Sequence, residues 1–149
     1  MKTIEKINLI VGDYKPGDVI VQYSKAGHGK TNFMVFEAVT TALNGSNVLL
    51  CSCELNMGSL QKKANTCFET VSDRQIRWED VNLKMRTFGL NEGGNIIDKL
   101  NLFISTIETE EDKLDVVFLD AFGAAMFYSS GKNFNESLRI EIQRIKQLA

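Results

Sequence analysis

The run Gly17-Asp18-Val19-Ile20-Val21-Gln22-Tyr23-Ser24-Lys25-Ala26-Gly27-His28-Gly29-Lys30-Thr31 decides how the rest of the chain is read. Its β-branched start predicts a short strand over residues 19–23, of the kind found in a sheet buried on both faces. A glycine-containing loop follows, and Lys30 and Thr31 open a helix. A phosphate-binding loop asks three things of a sequence: small residues that let backbone N–H groups wrap an anion, a lysine for charge, and a hydroxyl for magnesium. Ser24, Lys25, Ala26, Gly27, His28, Gly29, Lys30 and Thr31 supply all three, with Ser24 standing where G-x-x-x-x-G-K-[ST] has its first glycine. Together with Asn32 they are the candidate nucleotide contacts. His28 holds a variable position of the motif and is expected to face solvent.

Outward from this run, Lys15-Pro16-Gly17-Asp18 is type II turn chemistry, while residues 4–13 fit a short strand or one helical turn equally well. Downstream, Phe33, Phe36, Val39 or Thr40, and Leu43 predict a helix over 31–43, ended by Asn44-Gly45. NVLLCS, residues 47–52, reads as a buried strand. A second helix is expected over 57–71, a short helical piece around Ile76, Trp78 and Val81, and a half-polar strand over 84–88 near a sheet edge. After a glycine-rich turn at 91–95, Ile96, Ile97, Leu100, Phe103, Ile104 and Ile107 give the clearest amphipathic helix. Residues 114–120, LDVVFLD, form the next strand, and 136–149 a last helix with Leu138, Ile142 and Ile145 inward. Strands alternating with helices imply a parallel sheet covered on both faces.

With 149 residues the chain is one domain's worth, and 44% hydrophobic and 24% charged residues with a single proline are ordinary globular composition. A net charge of -2 excludes the basic footprint of a dedicated nucleic-acid binder, though not weak or ring-assembled binding. Charges break the apolar run of MKTIEKINLIV, so no secretory signal is read there, and Cys51, Cys53 and Cys67 are odd in number. A reducing cytoplasm is the expected setting. No apolar stretch reaches the ~18 residues of a membrane span. Cys51 and Cys53 lie two apart in a strand and face one way. They are read as small buried hydrophobes, because a second ligand pair for a metal is missing.

Two carboxylates complete the candidate site. Asp120 closes a strand of four apolar residues, where it would support Mg²⁺ beside a phosphate loop. Glu54 follows the 47–52 strand. Carboxyl ends of parallel strands share one sheet edge, so Glu54, Asp120 and the loop are expected to converge there. Glu54 has two readings: a base that activates an attacking water, or an acid placed before a helix by the macrodipole. Asp115, at the opposite end of its strand, is read as a solvated cap, and Lys62, Lys63, Arg74 and Arg77 as solvated faces.

PGD before an apolar strand, the Ser-x-x-Gly-x-Gly-Lys-Thr loop, NVLLCSCEL and DVVFLDA, taken in that order, resemble the ATPase core of the RecA/DnaB/KaiC superfamily, most of all the DnaB-type hexameric helicases. The resemblance implies a single-domain, three-layer α/β RecA-like P-loop NTPase with a mainly parallel sheet. It also implies ATP and Mg²⁺ as cofactors and self-association into a homo-oligomer. Residue by residue, it implies that Lys30 contacts the β- and γ-phosphates, Thr31 ligates Mg²⁺, Asp120 supports that ion and Glu54 is the catalytic glutamate. The segment from Tyr128 to Asn135 falls where RecA-like proteins carry a DNA-contacting loop, with Lys132 for a phosphate and Tyr128 or Phe134 for a base; an ordinary surface loop is the favoured reading of the two.

The sequence departs from that family after the Asp120 strand and one helix. The family's sensor strand, usually set between the strand before the P-loop and the Asp120 strand, and its trans-acting arginine have no match, so the core is expected to be incomplete at its C-terminal side. Either the strand at 19–23 then pairs directly with that at 114–120, or residues 7–11 or a second copy of the chain fill the gap. Three functions compete: a helicase- or recombinase-type ATPase acting on DNA, a KaiC-like nucleotide-dependent assembly module with little turnover, and a small P-loop kinase, the last lacking an arginine-rich lid.

Overall fold

The computed structural model describes residues 15–22, 25, 27–72, 75–89 and 95–120, with 140, 143, 144, 146 and 147. Three parallel strands make the sheet, in the order β2-β1-β3: β1 Val48–Ser52, β2 Leu83–Thr87 and β3 Val116–Asp120. Between them run α1 Lys30–Leu43, α2 Met57–Val71 and α3 Ile96–Ile107, and a 3-10 turn, Trp78–Asp80, precedes β2. Ile140, Gln143, Arg144, Lys146 and Gln147 are helical, inside the last helix expected from sequence.

Why the sheet is covered on both faces is written in β1. All five of its residues are buried, and with side chains alternating at period two they divide between two cores. Val48 and Leu50 pack with Val35, Ala38, Val39 and Ala42 of α1 and Leu60 and Ala64 of α2. Leu49 and Cys51 pack with Phe88 and with Ile96 and Leu100 of α3. The result is three layers, α1 and α2 on one face and α3 on the other. β2 is half-buried throughout apart from exposed Arg86, as its polar sequence predicts for an edge. The Trp78 turn is anchored on α2, where the Phe68 and Trp78 rings meet edge to face at 4.6 Å.

Local chemistry explains the element ends. The turn at Lys15 to Asp18 closes through Asp18 N–H donating to the Lys15 carbonyl at 3.0 Å, with Gly17 at φ 90. Asn56 caps α2 by accepting from Ser59 N–H, and Asn95 caps α3 by accepting from the N–H groups of Ile97 and Asp98.

One expectation fails. Residues 19–22 are not a strand: none pairs with a neighbour, and Ile20 and Val21 are 48% and 53% exposed rather than buried. The reason is the absence of a ladder. β3 pairs with β1 alone among the described residues, and β-branched composition without a partner strand does not make one. Direct pairing of the 19–23 run with β3 is therefore not what the described residues form. Residues 7–11, Tyr23, Ser24, Ala26, the turn at 91–94, the apolar run 121–127 and the Tyr128 to Asn135 loop lie outside the described residues.

Candidate phosphate site at the carboxyl edge of the sheet

The registers set β1 and β3 flush, with Ser52 opposite Asp120, so their ends form one edge. Past that edge, Cys53 N–H donates to the Asp120 carbonyl at 2.6 Å. The Ser52 side chain, itself fully buried, then turns the chain: its Oγ accepts from Glu54 N–H at 3.2 Å and Leu55 N–H at 2.9 Å. A hydroxyl that satisfies two backbone donors replaces the ladder and swings the chain into α2. Glu54 thereby emerges exposed at the sheet edge, and among the described residues nothing holds its carboxylate.

α1 arrives at the same edge from the loop. Gly27 and Gly29 have φ 78 and 79, left-handed backbone that costs a residue with a Cβ about 1–2 kcal/mol; no heavy atom lies within 4 Å of where a Cβ would stand, so the requirement is conformational, not steric. Gly29 is the N-cap of α1 and offers no side chain to it. The first helical bond runs from Phe33 N–H to the Gly29 carbonyl at 2.9 Å, leaving the N–H groups of Lys30, Thr31 and Asn32 without intrahelical acceptors and turned toward the positive end of the helix dipole. Lys25, Gly27, His28 and Gly29 are exposed and Lys30 is half-buried; among the described residues no side chain engages the Lys30 ammonium.

Across the edge, Thr31 Oγ1 donates to Asp120 Oδ2 at 2.9 Å, joining residues 89 apart in sequence. Asp120 is 2% exposed and its Oδ1 has no partner. A buried carboxylate oxygen without a partner is a position that a cation fits. The direction of the bond matters too. Thr31 spends its only proton on Asp120, so its oxygen presents lone pairs to whatever lies beside it, as a hard-metal ligand must. No three His, Cys, Asp or Glu side chains cluster as metal ligands among the described residues. Mg²⁺ here would have Thr31 and Asp120 from the protein and would need phosphate oxygens and water for the rest of its octahedron.

The thiols stand apart from this chemistry. Burial, then the nearby charges of Asp120 and Glu54, pushes Cys53 up to about 11, and burial, then Cys53, pushes Cys51 up to about 12 against the opposing pull of Arg86. Both are buried, protonated packing groups, as read from sequence.

The structure thus brings together Gly27, His28, Gly29, Lys30, Thr31, Asn32, Glu54 and Asp120 at one edge of the fold. Sequence reading missed Ser52 as the residue that shapes the turn, although its S-x-E spacing was the available signal. It also missed Lys63, which is half-buried and donates from Nζ to Asn32 Oδ1 at 2.7 Å instead of lying on a solvated face. Arg77 does lie exposed, paired with Glu79 and Asp80. Asp115 is a cap with a definite client: its Oδ2 accepts from Asn47 N–H at 2.8 Å. No helix among the described residues is long and apolar enough to cross a membrane. Compared with protein-family models, curated proteins and solved structures, the chain has no significant match in any of the three.

Proposed function

We propose that the chain is a RecA-like P-loop core that binds a nucleoside triphosphate, ATP by resemblance, together with Mg²⁺. The observation that carries this is the bond from Thr31 to Asp120 with Asp120 Oδ1 left over. A loop lysine, a hydroxyl one residue on and a carboxylate closing a distant strand converge as magnesium-phosphate binding requires. In this reading the N–H groups at the start of α1 and the Lys30 ammonium hold the phosphates. Thr31 and Asp120 hold the ion, which would supply charge neutralisation between phosphate oxygens.

Two levels of activity are separable. If Glu54 activates water, the protein is an ATPase of helicase or recombinase type. Its exposed carboxylate, held by no neighbour among the described residues, supports the second reading, a KaiC-like nucleotide-dependent module with slow turnover, because a base must be oriented before it accelerates anything. Lys30→Ala should abolish binding of Mg·ATP measured by calorimetry; unchanged affinity would remove the site assignment. Glu54→Gln should leave affinity intact and abolish any turnover, and a wild-type protein that binds without Glu54-dependent hydrolysis is the module. Action on single-stranded DNA through the Tyr128 to Asn135 loop, and ring assembly, belong to the same proposal: turnover stimulated by single strands and lost at high salt tests the first, sedimentation with nucleotide the second.

A further inference from the structure

The contact between Lys63 and Asn32 ties the middle of α2 to the first turn of α1, one residue beyond Thr31. An ammonium has only donors, so the oxygen of the Asn32 amide must face it. The amide orientation is then fixed, and its NH2 group points to the other side. Among the described residues that NH2 group has no acceptor and Asn32 is exposed. Lys63 also adds a second cation near the edge where no side chain among the described residues engages the Lys30 ammonium and where the buried, unpartnered Asp120 oxygen fits a cation.

We infer that Lys63 is a positioning residue for the phosphate site: by holding Asn32 Oδ1 it aims the Asn32 NH2 group as a hydrogen-bond donor to the polyphosphate of a bound nucleotide. The charge-assisted bond at 2.7 Å is of the stronger kind and removes the rotamer freedom an exposed asparagine would have to lose on binding. The inference rests on the nucleotide-binding reading above, and the test separates the two.

The experiment is calorimetric titration of Mg·ATP into wild type, Lys30→Ala, Lys63→Met, Lys63→Arg, Asn32→Ala and the double variant Lys63→Met/Asn32→Ala, with thermal melts of the unliganded proteins as the control for folding. Lys63→Met keeps the apolar stem and removes the donor; it should weaken affinity roughly five- to ten-fold at an unchanged melting temperature. Lys63→Arg should restore most of that loss, and the double variant should be no weaker than either single change, because both break one chain of contacts. If Lys63→Met binds as wild type does, or if the two single losses multiply, the inference is wrong while Lys30→Ala continues to report a phosphate site. If Lys30→Ala leaves affinity untouched, the nucleotide reading fails and takes the inference with it. Should Lys63→Met melt early, Lys63→Ala, a good helix former that also carries no donor, gives the same comparison.

Discussion

Keeping Asp120 buried beside a single hydroxyl costs the unliganded protein free energy. Asp120→Asn removes the charge and keeps the shape, so the unliganded protein should gain about 1–2 kcal/mol in denaturant unfolding. In exchange, the Mg²⁺-dependent rise in melting temperature with nucleotide should vanish. The thiols give a second residue-level test. Cys51 and Cys53 ionise near 12 and 11 in the fold but near 9.0 when unfolded. The unfolded chain thus loses their protons first as pH rises. Stability contributed by the protonated thiols is complete below pH 9.0 and declines from there to about 11 for Cys53 and about 12 for Cys51, by up to about 1.4 kcal/mol per pH unit for each thiol. Urea unfolding at a series of pH values measures it. At pH 8 a thiol reagent should label half-buried Cys67 and leave the other two until the protein unfolds.

Among the elements, α1 departs most from its reading as an amphipathic helix. Val35, Ala38, Val39 and Ala42 form the stripe against the sheet, yet Glu37, on the far side of the helix at 100° per residue, is only 5% exposed, and its Oε1 has no partner. Burial raises its pKa, so the protonated form is the one the fold prefers. The stability Glu37 lends is present at acid pH and is lost as pH climbs past the ordinary glutamate range; Glu37→Gln should therefore raise stability at pH 7 by about 1 kcal/mol and flatten that dependence. Caps follow simpler rules. Asn95→Ala, which strips two N–H groups at the head of α3, should cost about 1 kcal/mol in thermal unfolding. α2, α3, β1 and β3 were legible because their apolar periodicity and punctuation agree with where they pack, whereas α1 was found as an element but its face was not: Val35, Ala38 and Ala42 are buried where Phe33, Phe36 and Leu43 were expected, and those three are half-buried. Residues 19–22 were misread because a strand's existence depends on a neighbour that local composition does not encode.

At the scale of the molecule the sheet has two unlike ends. At its foot, Asn47 is a hub. Its Nδ2 donates to Asp112 Oδ1 and the Lys113 carbonyl, its N–H to Asp115, and its carbonyl accepts from Asp115 N–H, while Lys84 bridges Asp112 and the Asn47 side chain. One residue thus binds the entries of all three strands. Nothing in NVLLCS announces this, since an asparagine before a strand reads as a turn residue; the partners lie 37 to 68 residues away. The candidate phosphate edge was more legible because loop chemistry carries its own signature, whereas the bond from Lys63 to Asn32 beside it is a contact between helices. Asn47→Ala, which removes the amide bonds to Asp112, the Lys113 carbonyl and Lys84 but keeps the backbone bonds to Asp115, should destabilise the protein by about 1–2 kcal/mol, with the nucleotide-dependent shift in melting temperature unchanged.

That asymmetry has a kinetic side. Among the described residues, strands tied at the foot by the bonds around Asn47, Asp112 and Asp115, and joined at the head by Cys53 to Asp120, Phe88 to Ser52 and Thr31 to Asp120, should open from the head. In amide exchange followed over hours, deuterium should enter near Ser52 and Asp120 first and reach Val48 and Val116 last, with bound nucleotide slowing the first set far more than the second. The protein would then spend its brief excursions from the native state unzipped at the end that carries the candidate site and shut at the end that Asn47 holds.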